Sequence, residues 1–394
     1  MDILNVVKDI GQSVLSDAKS KLSSKAYKSL DGDVSVTIKI NEKQLKNSEI
    51  MITRVRTETS LGPEAGICEV ELRAQNSPTN CNISSEFSQI KVGKKLEVLI
   101  GNTVVFTGSI ERFDIEISPF GSIICTVHGM DAKMWMMTNV QTKARSNLSS
   151  TNYKSVVQNV LKEYAAVARI GKNSPGYDTT VKNIVYQVNE SDFKFLTRIA
   201  NITGSLFFVD SEGKMNFCGP NTLYSSNTMK LDCSDKNSAG EALSLNFSAS
   251  VWGMPKSVKV VSQDSLDPSK IITATSSSSS SIGSGQSLSQ IIPRNCAPVE
   301  IKTDTSIKSK DEAKALADAI YSQKNLNLTA VEMIAKGNPS VKLGGGFYLD
   351  GFGAPVDNGY IINRVIHNWD VGSNTNKYTT TLILSANKIT LQKG

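Results

Sequence analysis

Residues 1 to about 28 place Ile3, Val7, Ile10, Val14 and Ala18 at steps of three and four, flanked by Lys8, Asp9, Lys19 and Lys21. That spacing predicts an amphipathic helix over the segment 1–30, ending before Asp31-Gly32. From Val34 the period becomes two. Val34, Val36, Ile38 and Ile40 alternate with polar residues, as do Cys68, Val70 and Leu72, then Leu96, Val98 and Ile100. Phe113, Ile115 and Ile117 continue the alternation, and Ile123, Cys125 and Val127 resume it after the turn Pro119-Phe120-Gly121. Alternation buries one face of a strand and wets the other, so residues 31–140 read as an antiparallel sheet closed into a barrel.

The helical period returns at Tyr153, Val156, Val157, Val160, Leu161 and Tyr164, with Gly171 and Ser174-Pro175-Gly176 punctuating its end. A second helix is predicted from Ser191 to Gly204. It feeds a hairpin in which Leu206-Phe207-Phe208-Val209 turns through Asp210-Ser211-Glu212-Gly213 into Met215-Asn216-Phe217. Residues 141–245 thus form an α/β lobe. The remainder, 246–394, reads as a second barrel carrying an insertion. A tract at about 275–290 holds six successive serines, Ser276 to Ser281, and is predicted to be an exposed loop. Ser309 and Glu312 form a capping box ahead of Ala313, Leu316, Ala317 and Ile320, one face of a further helix.

Two segments look like copies of each other. Phe106-Thr107-Gly108-Ser109-Ile110-Glu111-Arg112 parallels Asn358-Gly359-Tyr360-Ile361-Ile362-Asn363-Arg364, and a second strand follows each, near Ile123 to Val127 and Tyr378 to Leu384. Upstream, Val92-Gly93-Lys94-Lys95-Leu96 and Leu343-Gly344-Gly345-Gly346-Phe347 both enter a strand through glycine. The expectation is a duplicated barrel.

Composition removes several function classes. At 394 residues and 39% hydrophobic, the chain can fill two or three cores. Its net charge of +6 comes from 43 basic and 37 acidic residues intermixed along the chain, which gives no basic stripe for nucleic-acid recognition. No apolar stretch approaches the roughly 20 residues of a stable membrane span. The N-terminus lacks the pattern of a signal peptide, so synthesis in the cytoplasm is expected. Six scattered cysteines without a CxxC pair suit reduced thiols. His128 and His367 are expected to be structural residues in related strands. Asp114 and Glu116, spaced like a glycosidase pair on one strand face, alternate with apolar neighbours and read as solvated. No cofactor and no metal site is expected.

The run Glu190-Ser191-Asp192-Phe193-Lys194-Phe195-Leu196-Thr197-Arg198-Ile199-Ala200, followed by Gly204 and Leu206-Phe207-Phe208, resembles the signature of VgrG spike proteins and phage late control protein D. Gly337 to Gly345, Gly359 to Arg364 and Lys377 to Leu382 resemble the same family. The resemblance implies a mainly β fold with α+β lobes: two related β-barrels, the second interrupted, assembled as a ring-shaped homotrimer of pseudo-sixfold symmetry. It implies a structural baseplate hub and not an enzyme, sited in a phage virion, an extracellular contractile particle or a secretion apparatus. Partners would be a tail tube ring above, a spike below, and a tape measure or cargo inside. Because no OB-fold or β-helix needle follows before Gly394, the spike is expected to be a separate polypeptide. The alternatives are a tail-associated cell-wall-degrading enzyme and a β-rich receptor-binding tail protein. Asp192 and Arg198 could pair on the helix surface, where capping alone accounts for an acid in the first turn. The N-terminal helix has no counterpart in the family motifs; its apolar stripe is expected to contact the ring, the tube or the cargo.

Overall fold

A computed structural model describes residues 25–30, 33–45, 50–75, 87–117, 122–145, 152–179, 185–224, 228–235, 240–263, 267, 269–278, 282–293, 299–303, 307–371 and 377–391. The helix expected around Ile3, Val7, Ile10, Val14 and Ala18 lies outside them. Where description begins, the chain is extended: Lys25–Ala26 is a strand paired parallel with Met229 and Lys230, so no helix reaches residue 28.

One large sheet organises the molecule. Its first half contains β1 (Val36–Ile40), β2 (Ile50–Ser60), β3 (Ile67–Gln75), β4 (Lys95–Ile100), β5 (Thr103–Ile117) and β6 (Ser122–Met130). These lie in the order β1-β4-β5-β6-β3-β2, every neighbour antiparallel. The alternation seen in the sequence explains why: Val36, Ile38 and Ile40 face inward while Thr37 and Lys39 are half-exposed. Inward residues of all six strands, among them Val55, Val70, Leu96, Ile110 and Val127, share one core.

The second half contains β7 (Met229–Asp232), β8 (Ala242–Ala249), β9 (Thr329–Lys336), β10 (Gly346–Asp350), β11 (Asn358–Asp370) and β12 (Lys377–Ala386). Their order is β7-β10-β11-β12-β9-β8. Five strands thus repeat the arrangement of the first half, all antiparallel. The sixth differs, since β7 runs parallel to β10 while β1 is antiparallel to β4.

The likeness extends to irregularities. The β5/β6 register slips between Ile110 and Arg112, and the β11/β12 register slips between Ile362 and Arg364. The β2/β3 register slips between Ile52 and Arg54, and β8/β9 between Ala242 and Ser244. Gly93 and Gly344 both adopt positive φ, 80° and 77°. Each donates its N–H to the strand residue before a bulge, Ile110 at 2.8 Å and Ile362 at 2.9 Å. A bulge leaves one residue unpaired and bends its strand, so matching bulges give matching curvature.

The halves are joined through β11. Its residues Asn358 to Ile361 pair with β10, and beyond the bulge Arg364 to Asp370 pair with Ser60 to Arg54 of β2. Trp369 thereby enters the first core, 4% exposed, and its Nε1 donates to the Val34 carbonyl at 2.9 Å. Arg364 Nη1 donates to Glu58 at 2.8 Å across the same join.

Among the described residues, two smaller units flank the sheet. Between the halves, α1 (Tyr153–Glu163) and α2 (Asp192–Thr203) cover the hairpin Leu206–Val209 and Lys214–Cys218 around a core that includes Val156, Leu161, Phe195, Leu196 and Phe217. The stretch Arg169–Ser174, read from sequence as punctuation, is a strand paired parallel with Lys214–Cys218. Inserted between β8 and β9 is a three-stranded sheet (Ser257–Gln263, Ile271–Ser276, Val299–Thr303) packed against α3 (Lys310–Lys324). Ser309 caps α3, but Glu312 accepts from the N–H of Lys308, not from that of Ser309.

In the serine-rich tract Ser277 and Ser278 are exposed, Ser279 to Ser281 lie outside the described residues, and the residues on either side are anchored where a wholly exposed loop was expected. Ser276 is buried at the end of a strand, and its hydroxyl bonds Asp318 and the Ser278 carbonyl. Ile282 is buried in the second core, its N–H held by Asn387 at 3.0 Å. Gln286–Ser287 pairs with Lys388–Ile389. Polar composition hid these anchors because the hydroxyls bond within the protein.

Candidate functional site

The family-like residues fall on two features. The first is α2. Its N-cap is Ser191, whose hydroxyl accepts from the Lys194 N–H at 3.3 Å, worth about 1 kcal/mol. Its C-cap is Gly204 at φ 60°, where a Cβ would stand 2.3 Å from the Ala319 backbone of α3. Left-handed geometry and close helix approach both require glycine there. Phe195 and Leu196 point into the lobe core, and Phe193 packs toward Phe207 with ring centroids 6.2 Å apart.

Asp192 overturns the expectation of a surface cap. It is fully buried and its ion-pair partner is Arg145, itself buried, not Arg198. Asn139 donates to the carboxylate at 2.7 Å, Gln187 at 2.9 Å, Gln141 at 3.2 Å and the Tyr164 hydroxyl at 2.5 Å. Arg145 also donates to Gln187 at 2.6 Å and to Glu163 at 2.6 Å. Every lone pair of the carboxylate is therefore used, which is the condition under which a buried charge pair is tolerated. Burial, then the hydrogen bond to Asp192, raises the Tyr164 pKa and keeps its phenol a donor. Burial works to raise the Glu163 pKa, but the bonds from Lys143 and Arg145 outweigh it and hold that carboxyl below its ordinary range. The node ties three segments of the lobe, 139–145, 163–164 and the strand bearing Gln187, to the first residue of α2. Arg145 and Tyr164 lie far from Asp192 in sequence, and neither spacing nor residue type marked them as its partners.

Arg198 instead grips the strand leading into the helix. Its Nη2 donates to Glu190 at 2.5 Å and to the Tyr186 carbonyl at 2.7 Å. Arg198 and Arg145 stand over the Phe195 ring at 5.1 and 5.6 Å, both within cation–π range. The outward side of α2 bears a shallow depression of about 350 Å³ lined by Phe193, Lys194, Thr197, Arg198, Asn201 and Ile202.

The second feature is the join between the sheet halves. Arg364 stands there, bonded to Glu58 and 3.7 Å from Glu64. Gly359 precedes it on β11, where a Cβ would lie 2.2 Å from the Tyr224 hydroxyl. Both features are architectural contacts.

The side chains weighed for chemistry take other roles. Asp114 is solvent-exposed and lies 3.3 Å from both Arg112 and His128. His128 sits on β6, whereas His367 sits on β11, so the two histidines are not equivalent positions of a repeat. His367 is buried between Thr380 (3.2 Å) and the Tyr378 hydroxyl (2.9 Å), and burial lowers its pKa to about 3. Cys68, Cys125, Cys218 and Cys233 are free, and burial raises Cys125 and Cys218 to about 11, against nucleophilic use. Among the described residues no three His, Cys, Asp or Glu side chains gather as a metal site, and no helix is long and apolar enough to cross a membrane.

A family model described as phage tail baseplate hub (GPD) matches residues 80–372. The chain belongs to that family. Its fold is similar to that of a 43 kDa tail protein of prophage MuSo2 from Shewanella oneidensis, at 13% identity, TM-score 0.59, covering 89% of this chain and 97% of the other. It is likewise similar to a tail protein from Neisseria meningitidis MC58, at 12% identity and TM-score 0.59, covering 90% and 96%. A third neighbour, at 11% identity and TM-score 0.53, covering 90% and 79%, is an Escherichia coli type VI secretion component described as structurally similar to T4 bacteriophage tail proteins gp27 and gp5. At these identities the likeness is one of fold. No curated protein matches.

Proposed function

We propose that this baseplate hub protein is the axial adaptor of a contractile injection particle. Three copies form a ring in which each contributes two related β-barrels, one within residues 31–140 and one from β7 to β12, the second reaching back to Met229 and so ahead of the boundary at 246 read from the sequence, with lobes outside them. Six similar barrels then meet a sixfold tail tube, while the threefold symmetry of the ring suits the spike below. The observation that carries the reading is the repeated strand order with bulges at matched places in β5/β11 and β2/β8. Similar strand order and curvature make similar surfaces, which is what a threefold-to-sixfold adaptor needs. The segment 1–30, with its apolar stripe, contacts the ring, the tube or internal cargo in this scheme.

A reconstruction of the native particle tests the proposal. The chain should occupy the tail axis at the end of the tube; a position at a fibre tip would favour the receptor-binding alternative and contradict the adaptor. Clear lysis on a peptidoglycan zymogram would contradict a purely structural role. Deleting residues 1–28 should impair particle assembly, and unchanged assembly would remove that segment from the scheme.

A further inference from the structure

Among the described residues, one sheet edge is sealed by the chain's own strand and the corresponding edge carries no strand. In the first half, the outer edge of β2 is covered by Arg364–Asp370 of β11, the part of that strand beyond its bulge. By strand order and bulge position, β8 is the counterpart of β2, and Arg112–Ile117 of β5 is the counterpart of Arg364–Asp370. Among the described residues, β8 pairs only with β9. Likewise β5 pairs with β4 only as far as Ser109, which leaves that side of Arg112–Ile117 open.

Burial follows the same division. At the sealed edge Val55, Thr57 and Thr59 are 0%, 1% and 6% exposed, facing Val365, His367 and Trp369 at 3%, 3% and 4%. Their counterparts are incompletely covered: Leu245 and Phe247 are half-buried and Ala249 is exposed, while Phe113 and Ile115 are half-buried and Ile117 is 51% exposed. Beyond the strands, the Leu61 N–H donates to the bulge carbonyl of Asn363 at 2.9 Å, and Leu61 is 3% exposed. Val251, its counterpart, is 47% exposed, next to Trp252 at 91%. Two unpaired strand edges with incompletely buried apolar residues invite strand addition.

We propose that the seam between neighbouring copies is an antiparallel strand pair, Arg112–Ile117 of one copy against β8 of the next, in the register of the internal join. Arg364 opposite Ser60, Ile366 opposite Glu58 and Trp369 opposite Val55 define that register. Transferred through the matched bulges, it sets Phe113 opposite Ala249, Asp114 opposite Ser248, Ile115 opposite Phe247 and Ile117 opposite Leu245. Ile117 then takes the place that Trp369 holds within the chain, entering the neighbour's second core. The contact is head-to-tail, so it closes a ring when the rotation returns on itself. This seam rests on the ring reading and gives it a residue-level contact.

Directly opposed residues of an antiparallel pair stand about 4.5–5.5 Å apart at Cα, within disulfide reach. Asp114 and Ser248 are both exposed on the isolated chain, so cysteines there leave the fold intact. The full chain carrying Asp114→Cys with Ser248→Cys, oxidised with diamide, should give a ladder ending at the covalent closed oligomer. Asp114→Cys with Ala242→Cys, out of register, should give under a tenth of that product, and each single variant no ladder. Native mass spectrometry of the same samples separates the failures. An oligomer with no preference for the in-register pair overturns the seam and leaves the ring; a monomer without cross-links overturns both.

Discussion

Asp192→Ala removes the one carboxylate on which Arg145, Tyr164, Asn139, Gln141 and Gln187 converge. Arg145 stays buried with Glu163 and Gln187 as its remaining partners, and the Tyr164 hydroxyl keeps only the contact with Asn139. Breaking a buried charge pair by deleting one partner costs about 3–5 kcal/mol. A chain with several cores does not unfold in one step, so the effect belongs to the lobe and needs a local readout. Hydrogen exchange followed by mass spectrometry supplies it: at about 1.4 kcal/mol per decade, α2 amides should exchange roughly two to three and a half orders of magnitude faster. Amides of β3 and β6, in the first core, should change little. Asp192→Leu with Arg145→Met, which removes both charges, should recover most of the protection. If Asp192→Ala alone speeds α2 exchange less than tenfold, the node does not hold the helix.

Three further outcomes are expected. His367 is neutral in the fold with its pKa lowered to about 3, against 6.5 for an ordinary histidine. Its contribution is complete above pH 6.5 and is lost as pH falls toward 3, at up to about 1.4 kcal/mol per unit. Urea titrations should show that slope, and His367→Gln should remove it. Gly204→Ala places a Cβ in left-handed geometry against the α3 backbone, so it should lower the lobe's melting temperature by more than the ~1–2 kcal/mol of backbone strain alone would. Ser191→Ala removes only a cap and should cost about 1 kcal/mol, measurable as modestly faster exchange at the start of α2.

The alternating residues of β1, β3, β4 and β6 and the helical faces of α1 and α2 were legible in the sequence because burial imposes their periods directly. The glycine entries at Gly93 and Gly344 were legible because positive φ restricts the residue type. Asp192 was misplaced for a physical reason: an acid in a first helical turn has a sufficient local explanation, and its burial depends on Arg145 and Tyr164 brought in by tertiary folding. The serine tract misled in the same way, since hydroxyls satisfied by Asp318 or Asn358 look identical in sequence to hydroxyls satisfied by water. The continuation of β11 onto β2 was also hidden, because strand alternation reports which face is buried and not which edge is paired.

In the proposed assembly, two like halves per chain build a ring of three copies with six like units. Electron microscopy of the purified full chain, viewed down the ring axis, tests it most directly. Closed rings of three copies should appear, with six near-equivalent lobes on the inner wall. Rings of another copy number, a twofold dimer, or an inner wall with only three distinct lobes would contradict it.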